Sequence, residues 1–182
     1  GPSETGVFVH GLAGSATNWT DLMAELQDTI TGYAVDLPGA GYSPPPPDGD
    51  YSVTAHARAV IAFLEHIVAE RGGEPVHLFG NSLGGAVSVR VAATRPDLVR
   101  TLTLVAPALP HLVPRRGPAR IAFGATPRIG DWVVGQLLRH VPAEKRVRAT
   151  MAMCYADPSR VHPARVAEAV AEQRRRDELP HN

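Results

Sequence analysis

Cysteine is almost missing from this chain: Cys154 is the only one. A lone thiol rules out an internal disulfide, and no metal-ligand spacing surrounds it. Its expected role is that of a small buried apolar side chain. So few cysteines fit a reducing compartment, and the expected location is cytoplasmic. Lysine is equally scarce, with Lys145 alone against 17 arginines, and aromatic residues make up 5% of the chain. No stretch reaches eighteen consecutive apolar residues, so no membrane-spanning helix is expected. Residues 1–6 carry neither a basic segment nor a long apolar one, and no signal peptide is expected from them. The basic residues are dispersed and lack aromatic interleaving, which argues against a nucleic-acid partner.

What is present is a globular composition of 182 residues, 44% hydrophobic and 20% charged, enough for one domain with a real core and short for two. The net charge is zero, yet it is unevenly spread. Residues 1–110 hold five arginines against eleven acids, net −6, and residues 111–182 hold thirteen basic residues against seven acids, net +6. The basic part suits an anionic substrate or partner, while the plainer account is a solvated arginine-rich surface.

Short apolar runs alternate with helical patterns. Residues 6–10 read as a buried strand, and Asn18 or Thr20 as the cap of a helix that places Trp19, Leu22, Met23 and Leu26 on one face. Residues 33–37 form the next strand, and Pro44 to Pro47 an extended loop. Ala57, Val60, Ile61, Leu64, Ile67 and Val68 stripe one face of a long helix that Arg71-Gly72-Gly73 ends. Residues 76–79 read as a third strand, 83–94 as a helix of small and β-branched residues, and 101–105 as a fourth strand. Continuous rather than alternating apolar strands suit burial on both sides. The order predicts an α/β fold with a mostly parallel sheet and helices on both faces. Beyond Pro107 the pattern becomes helical. Asp131 reads as a cap for 132–140, a second helix spans 143–155 with Val147, Met151 and Cys154 on one face, and Pro163 opens a third. The expected division is a partial core over 1–107 and a helical segment over 108–182.

The chemical signal is Gly80-Asn81-Ser82-Leu83-Gly84-Gly85, set between a strand and a helix. A serine hydroxyl is a weak nucleophile, and it needs exposure, a base, and donors for the oxyanion formed on attack. A sharp strand-to-helix turn lifts Ser82 above the strand end, with φ above zero, and points the helix's free amides and positive dipole end at the same place. Small neighbours, Gly80 and Gly84, avoid clashes in such a turn. Leu83 offers one amide. The loop His10-Gly11-Leu12-Ala13-Gly14 follows the first strand, and parallel sheets gather ligands at strand carboxyl ends, so Leu12 is a candidate for a second amide. His10 is a candidate base, though a histidine ending a strand more often braces a loop. The alternative for the whole motif is a tight turn that positions nothing; phosphate-binding loops fail, because neither Gly-x-x-x-x-Gly-Lys-Ser/Thr nor Gly-x-Gly-x-x-Gly occurs.

The segments VFVHGLAGSATNW, AVDLPGAGYS, VHLFGNSLGGA and RPDLVRTLTLVAP, in that order, resemble the α/β-hydrolase fold superfamily over residues 7 to about 107. The resemblance implies Ser82 as nucleophile, the Leu12 and Leu83 amides as oxyanion hole, and His10, Gly11, Gly80 and Gly84 as supporting motif residues. It places Asp36 as a loop brace, and 108–182 as the lid after the sixth strand. It implies no cofactor and no metal. It further implies that this chain holds strands three to six plus a lid, a fragment without the first strands and without the acid and histidine of the triad, which follow the lid. Of the residues after Ser82, neither His111, His140, His162 and His181 nor Asp97, Asp131 and Asp157 form a triad by pattern. The resulting expectation is a serine hydrolase that cleaves a small-molecule carboxylic ester with an apolar acyl group, walled by Trp132, Val133, Leu137, Met151 and Met153. Serine at 82 argues against the haloalkane dehalogenase and epoxide hydrolase branches, which use aspartate. Asn81 also resembles the carbon–carbon bond hydrolases of aromatic ring cleavage, which is the alternative reaction; a non-catalytic binding protein is the alternative class.

Overall fold

A computed structural model describes residues 2–109 and 140–178. The chain forms two compact units, residues 1–110 and 111–182.

The first unit is a four-stranded parallel sheet in the order β2-β1-β3-β4, with β1 Glu4–Val9, β2 Ile30–Val35, β3 Val76–Asn81 and β4 Val99–Val105. A short 3-10 turn, Ala16–Trp19, and α1, Thr20–Leu26, link β1 to β2. The longer α2, Val53–Glu70, links β2 to β3, and α3, Leu83–Thr94, links β3 to β4. The α/β architecture expected from the alternation of periods is the one observed.

Side chains alternate across a strand, and β1 uses both directions. Val7 and Val9 join Leu78, Val76, the α2 stripe Ala57, Val60, Leu64 and Ile67, and Val87 and Val91 of α3 in one buried cluster. Phe8 points the other way, stacks on Phe79 at 4.4 Å and meets the Trp19 ring at 5.4 Å. Met23 of α1 covers Gly32 of β2 beside the Phe8 ring, so α1 lies on the face opposite α2 and α3. Helices therefore flank both faces.

Burial on both sides holds for β1 but not throughout. Along β3 buried and half-buried residues alternate, and β4 is largely exposed, with Leu104 at 36% and Val105 at 43%. The reason is topological: β4 is an edge with a partner on one side only.

Local signals explain most boundaries. Ser52 caps α2 by accepting from the Ala55 N–H at 3.1 Å, and Gly73 closes it by donating to the Val68 carbonyl at 2.8 Å, with Gly72 and Gly73 both at positive φ. The expected cap at Asn18 or Thr20 is displaced. Ser15 caps the 3-10 turn, accepting from the Thr17 N–H, while the Asn18 side chain reaches back to the Ser15 N–H at 2.9 Å. This reciprocal pair satisfies two free donors at once, so Asn18 serves as the far half of the box and Thr20 becomes the first residue of α1.

The second unit contains α4, Ala143–Cys154, and α5, Pro163–Glu178, joined through a 3-10 turn capped by Asp157. Among the described residues of this unit Ala143, Val147 and Val170 are the buried apolar ones. Arg146 makes a two-pronged ion pair with Asp177 across the helices. Cys154 is exposed rather than buried. The α4 stripe is buried at Ala143 and Val147, half-buried at Met151, and out in solvent at Cys154, the last residue of the helix. The helix expected over 132–140 lies outside the described residues, apart from His140.

Candidate active site

Ser82 sits at the junction of β3 and α3 with φ 49° and ψ −115°. This is a region non-glycine residues avoid, and holding it costs on the order of 1–3 kcal/mol. Among the described residues two other non-glycine residues have positive φ, Ala13 and Ala106, one in the loop after β1 and one after β4. All three follow carboxyl ends of strands that are neighbours in the sheet. The strain gathers where a parallel sheet places its ligands.

The glycines around Ser82 are explained by what a side chain would hit. A Cβ on Gly80 would lie 2.6 Å from both the Gly84 carbonyl oxygen and the Ser88 hydroxyl. One on Gly84 would lie 2.3 Å from the Val9 carbonyl oxygen and 2.4 Å from that of His10. One on Gly11 would lie 3.1 Å from Ser82 Cβ and 2.9 Å from the Asn81 side-chain oxygen. These three positions let α3 press onto the end of β1 and bring the loop at 10–14 against Ser82. Ser82 itself is half-buried and Leu12 is 64% exposed.

The first hydrogen bond inside α3 runs from the Ala86 N–H to the Ser82 carbonyl at 3.2 Å. The amides of Leu83, Gly84 and Gly85 precede that ladder and sit at the positive end of the helix dipole. Ser82 makes no side-chain cap bond to its own helix.

His10 is 2% exposed. Its Nδ1 lies 2.7 Å from the Gly11 carbonyl oxygen, and its Nε2 accepts the Leu37 N–H at 3.0 Å. Only the tautomer with hydrogen on Nδ1 satisfies both contacts. With both nitrogens on backbone groups, His10 ties the loop after β1 to the loop after β2. Asp36 ties the same loops, accepting from the Ala16 N–H at 2.8 Å and the Tyr42 N–H at 2.9 Å, while its carbonyl accepts the Ser43 hydroxyl at 2.7 Å.

His56, at the start of α2, is a buried histidine that the sequence reading overlooked because it falls on the α2 stripe among Ala57 and Val60. Burial first, and the neighbouring His10 imidazole second, push its imidazole below the usual histidine value, against an opposing pull from Asp50. Of the carboxylates after Ser82, Asp97 is held below its ordinary value by hydrogen bonds from Arg95, and Asp157 is spent on capping its 3-10 turn at Ser159. His162 and His140 are exposed. His111, Asp131, His181 and the lid residues Trp132, Val133 and Leu137 lie outside the described residues. Met151 is half-buried and Met153 is 79% exposed. Among the described residues no cluster of three or more histidine, cysteine or acidic side chains suits a metal ion, and no helix is long and apolar enough to cross a membrane.

The sequence profile of the alpha/beta hydrolase fold matches residues 7–124. The chain belongs to the α/β-hydrolase fold family. Among curated relatives, it is 36% identical over 107 residues to the dihydrolipoyllysine-residue acetyltransferase component of the acetoin cleaving system of Cupriavidus necator, covering 59% of this chain and 27% of that protein. It is 32% identical over 108 residues to a probable lysophospholipase, BODYGUARD 4, of Arabidopsis thaliana, covering 58% and 25%. Among solved structures it superposes on 2-hydroxy-6-oxo-6-phenylhexa-2,4-dienoate hydrolase from a Rhodococcus strain with a TM-score of 0.70, covering 98% of this chain and 59% of that one at 23% identity, a likeness of fold. The chain thus spans about a quarter of the length of these two curated relatives.

Proposed function

We propose that the chain is part of a serine hydrolase that cleaves a carboxylic ester through an acyl-enzyme on Ser82. The single observation carrying this reading is the strained φ of Ser82 at the head of α3, with the loop at 10–14 packed against its Cβ. A tight turn with no chemical role has no need of a strained non-glycine residue, since glycine would adopt φ 49° without the penalty.

In this reading Ser82 Oγ attacks the ester carbonyl carbon. The negative charge that develops on the carbonyl oxygen is met by the Leu83 and Leu12 amides, the first strengthened by the α3 dipole. A general base outside the described residues takes the Ser82 proton and returns it to the departing alkoxide; water, deprotonated by the same base, then attacks the acyl-enzyme to release the acid and reprotonated Ser82. His10 holds the oxyanion loop and does not take the serine proton, because both its nitrogens are engaged by backbone groups. In the same proposal residues 108–182 are a lid segment, an assignment that rests on the sequence resemblance. The names of the relatives, a lysophospholipase among them, support an ester substrate.

The test is labelling by an alkyl fluorophosphonate followed by peptide mapping. The modification is expected on Ser82 in the intact wild-type protein, with the residues that supply the base, and absent from its Ser82→Ala variant. An unlabelled wild type ends the nucleophile reading and favours a binding protein. Turnover of a vinylogous diketone acid, with none of a short p-nitrophenyl ester, assigns carbon–carbon cleavage instead, the reaction that Asn81 and the basic second part would suit.

A further inference from the structure

Ser82 is held on both of its peptide groups by one segment of chain. Its N–H donates to the Val105 carbonyl at 3.1 Å, and its carbonyl accepts the Ala108 N–H at 2.8 Å. The Ala86 N–H, from the first turn of α3, reaches the same carbonyl at 3.2 Å, so the closer donor is the one outside the helix. Between the two contacts the segment bends sharply. Ala106 has φ 43° although Pro107 follows it, and a residue before proline is ordinarily extended. Pro107 in turn occupies the space a Gly85 side chain would need, 2.7 Å from the position of its Cβ.

This arrangement answers a question the helix itself leaves open. A serine at the head of a helix ordinarily takes extended backbone angles and turns its hydroxyl onto the amides of the first turn. Ser82 does neither. Gly80, Gly84 and Gly85 make room for the unusual conformation but do not impose it. The Ala108 N–H, delivered by the strained bend at Ala106, is a donor from outside α3 on the Ser82 carbonyl.

We infer that the Ala108 backbone amide, carried by the Ala106-Pro107 bend, is a positioning group that keeps Ser82 in its strained conformation with the hydroxyl free. The conformational claim stands on the geometry; its catalytic meaning rests on Ser82 being the nucleophile. A tie that merely anchors the loop after β4 leaves Ser82 unmoved when it is cut. A positioning tie does not.

The experiment replaces Ala108 with lactic acid, which changes the amide to an ester and removes only the N–H. Two quantities are read: the Ser82 13Cα and 13Cβ chemical shifts, which report its backbone angles, and the rate of Ser82 phosphonylation by an alkyl fluorophosphonate. The shifts are expected to move toward those of an ordinary helix cap, and the rate to fall roughly five- to tenfold, the loss of one hydrogen bond. Ala108→Gly keeps the N–H and is expected to retain both wild-type values. Ala108→Pro removes the donor by an encoded change and is expected to repeat the ester's effect, with amide peak dispersion checking that the chain is folded. Unchanged Ser82 shifts in the folded ester variant overturn the inference. Phosphonylation is read on the intact protein; if its wild type is not phosphonylated at all, the nucleophile reading fails, and the shifts alone still decide whether Ala108 holds Ser82.

Discussion

Substituting Gly84→Ala sets two effects of opposite sign against each other. Gly84 lies inside the first turn of α3, where alanine is favoured over glycine by about 0.8–1.0 kcal/mol of helix propensity. Against this stands the wall the new methyl would meet: the Val9 carbonyl oxygen at 2.3 Å, the His10 carbonyl oxygen at 2.4 Å and the Val9 carbonyl carbon at 2.7 Å. All three are main-chain atoms at the carboxyl end of the buried strand β1, in Val9 and the residue after it, so no side-chain rotation relieves the contact. To restore ordinary carbon contact distances α3 must back away by about 1 Å. Overpacking usually costs about 1–3 kcal/mol, and a backbone wall belongs in the upper part of that range. After subtracting the propensity gain, the net destabilisation is about 1–2 kcal/mol, or roughly 2–8 °C in Tm for a chain of this size. The effect on Ser82 is larger, because the helix carries both Ser82 and the Leu83 amide away from the loop at 10–14, and a 1 Å misplacement of reacting groups costs up to about 100-fold in rate. Thermal unfolding by circular dichroism and fluorophosphonate labelling measure the two effects on the same sample. Gly49→Ala is the control: Gly49 is exposed with nothing within 4 Å, so the backbone strain of an alanine at its φ of 67° stays local and leaves the labelling rate unchanged. A Gly84→Ala chain that melts at or above the wild-type temperature refutes the close approach of α3 to β1, and with it the reason for a glycine after Ser82-Leu83.

Asp36, His56 and Asp177 supply three further outcomes. Asp36→Ala removes the acceptor of the Ala16 and Tyr42 amides, and is expected to lower the urea-unfolding free energy by about 1–3 kcal/mol, while Asp36→Asn recovers part of the loss. His56 is held below its unfolded value near 6.5, so the unfolded chain takes up the proton first. Stability is therefore full above that pH and falls as pH drops below it, until folded His56 itself titrates, and in a pH series of urea midpoints His56→Leu is expected to flatten that limb; identical slopes in the two chains would remove His56 as its cause. In the second unit, burial works to raise the Asp177 carboxyl, but hydrogen bonds from Arg146 and Gln173 outweigh it and the net direction is downward. The Asp177 contribution is present above the ordinary carboxyl range and lost as pH falls through the lowered value. Asp177→Asn is expected to reduce protection of α5 amides from hydrogen exchange at neutral pH by about 1–3 kcal/mol and to abolish the acid-dependent part.

Much of this molecule was legible in one dimension because its signals are local. The stripe from Ala57 to Ile67, the Gly72-Gly73 stop and the Ser82 motif between an apolar run and a run of small residues each depend on a few neighbouring residues, and periodicity reads those directly. The alternation of strand and helix was enough for an α/β sheet, since crossover helices require parallel neighbours. Tertiary structure decided what depends on partners remote in the chain. The exposure of β4 follows from its place at the edge, which its apolar run does not reveal. That Phe8 and Val9 face different layers is plain from alternation, but which helices cover each layer is not. His56 reads as one more position on a helical stripe until burial and His10 are seen beside it. The positive φ at Ala106 runs against the bias of a residue before proline, so it emerges only when β4 delivers the Ala108 amide to the Ser82 carbonyl, 26 residues earlier in the chain. Local chemistry nominated the serine; the strained backbone that presents its hydroxyl is set by contacts between segments that only folding brings together.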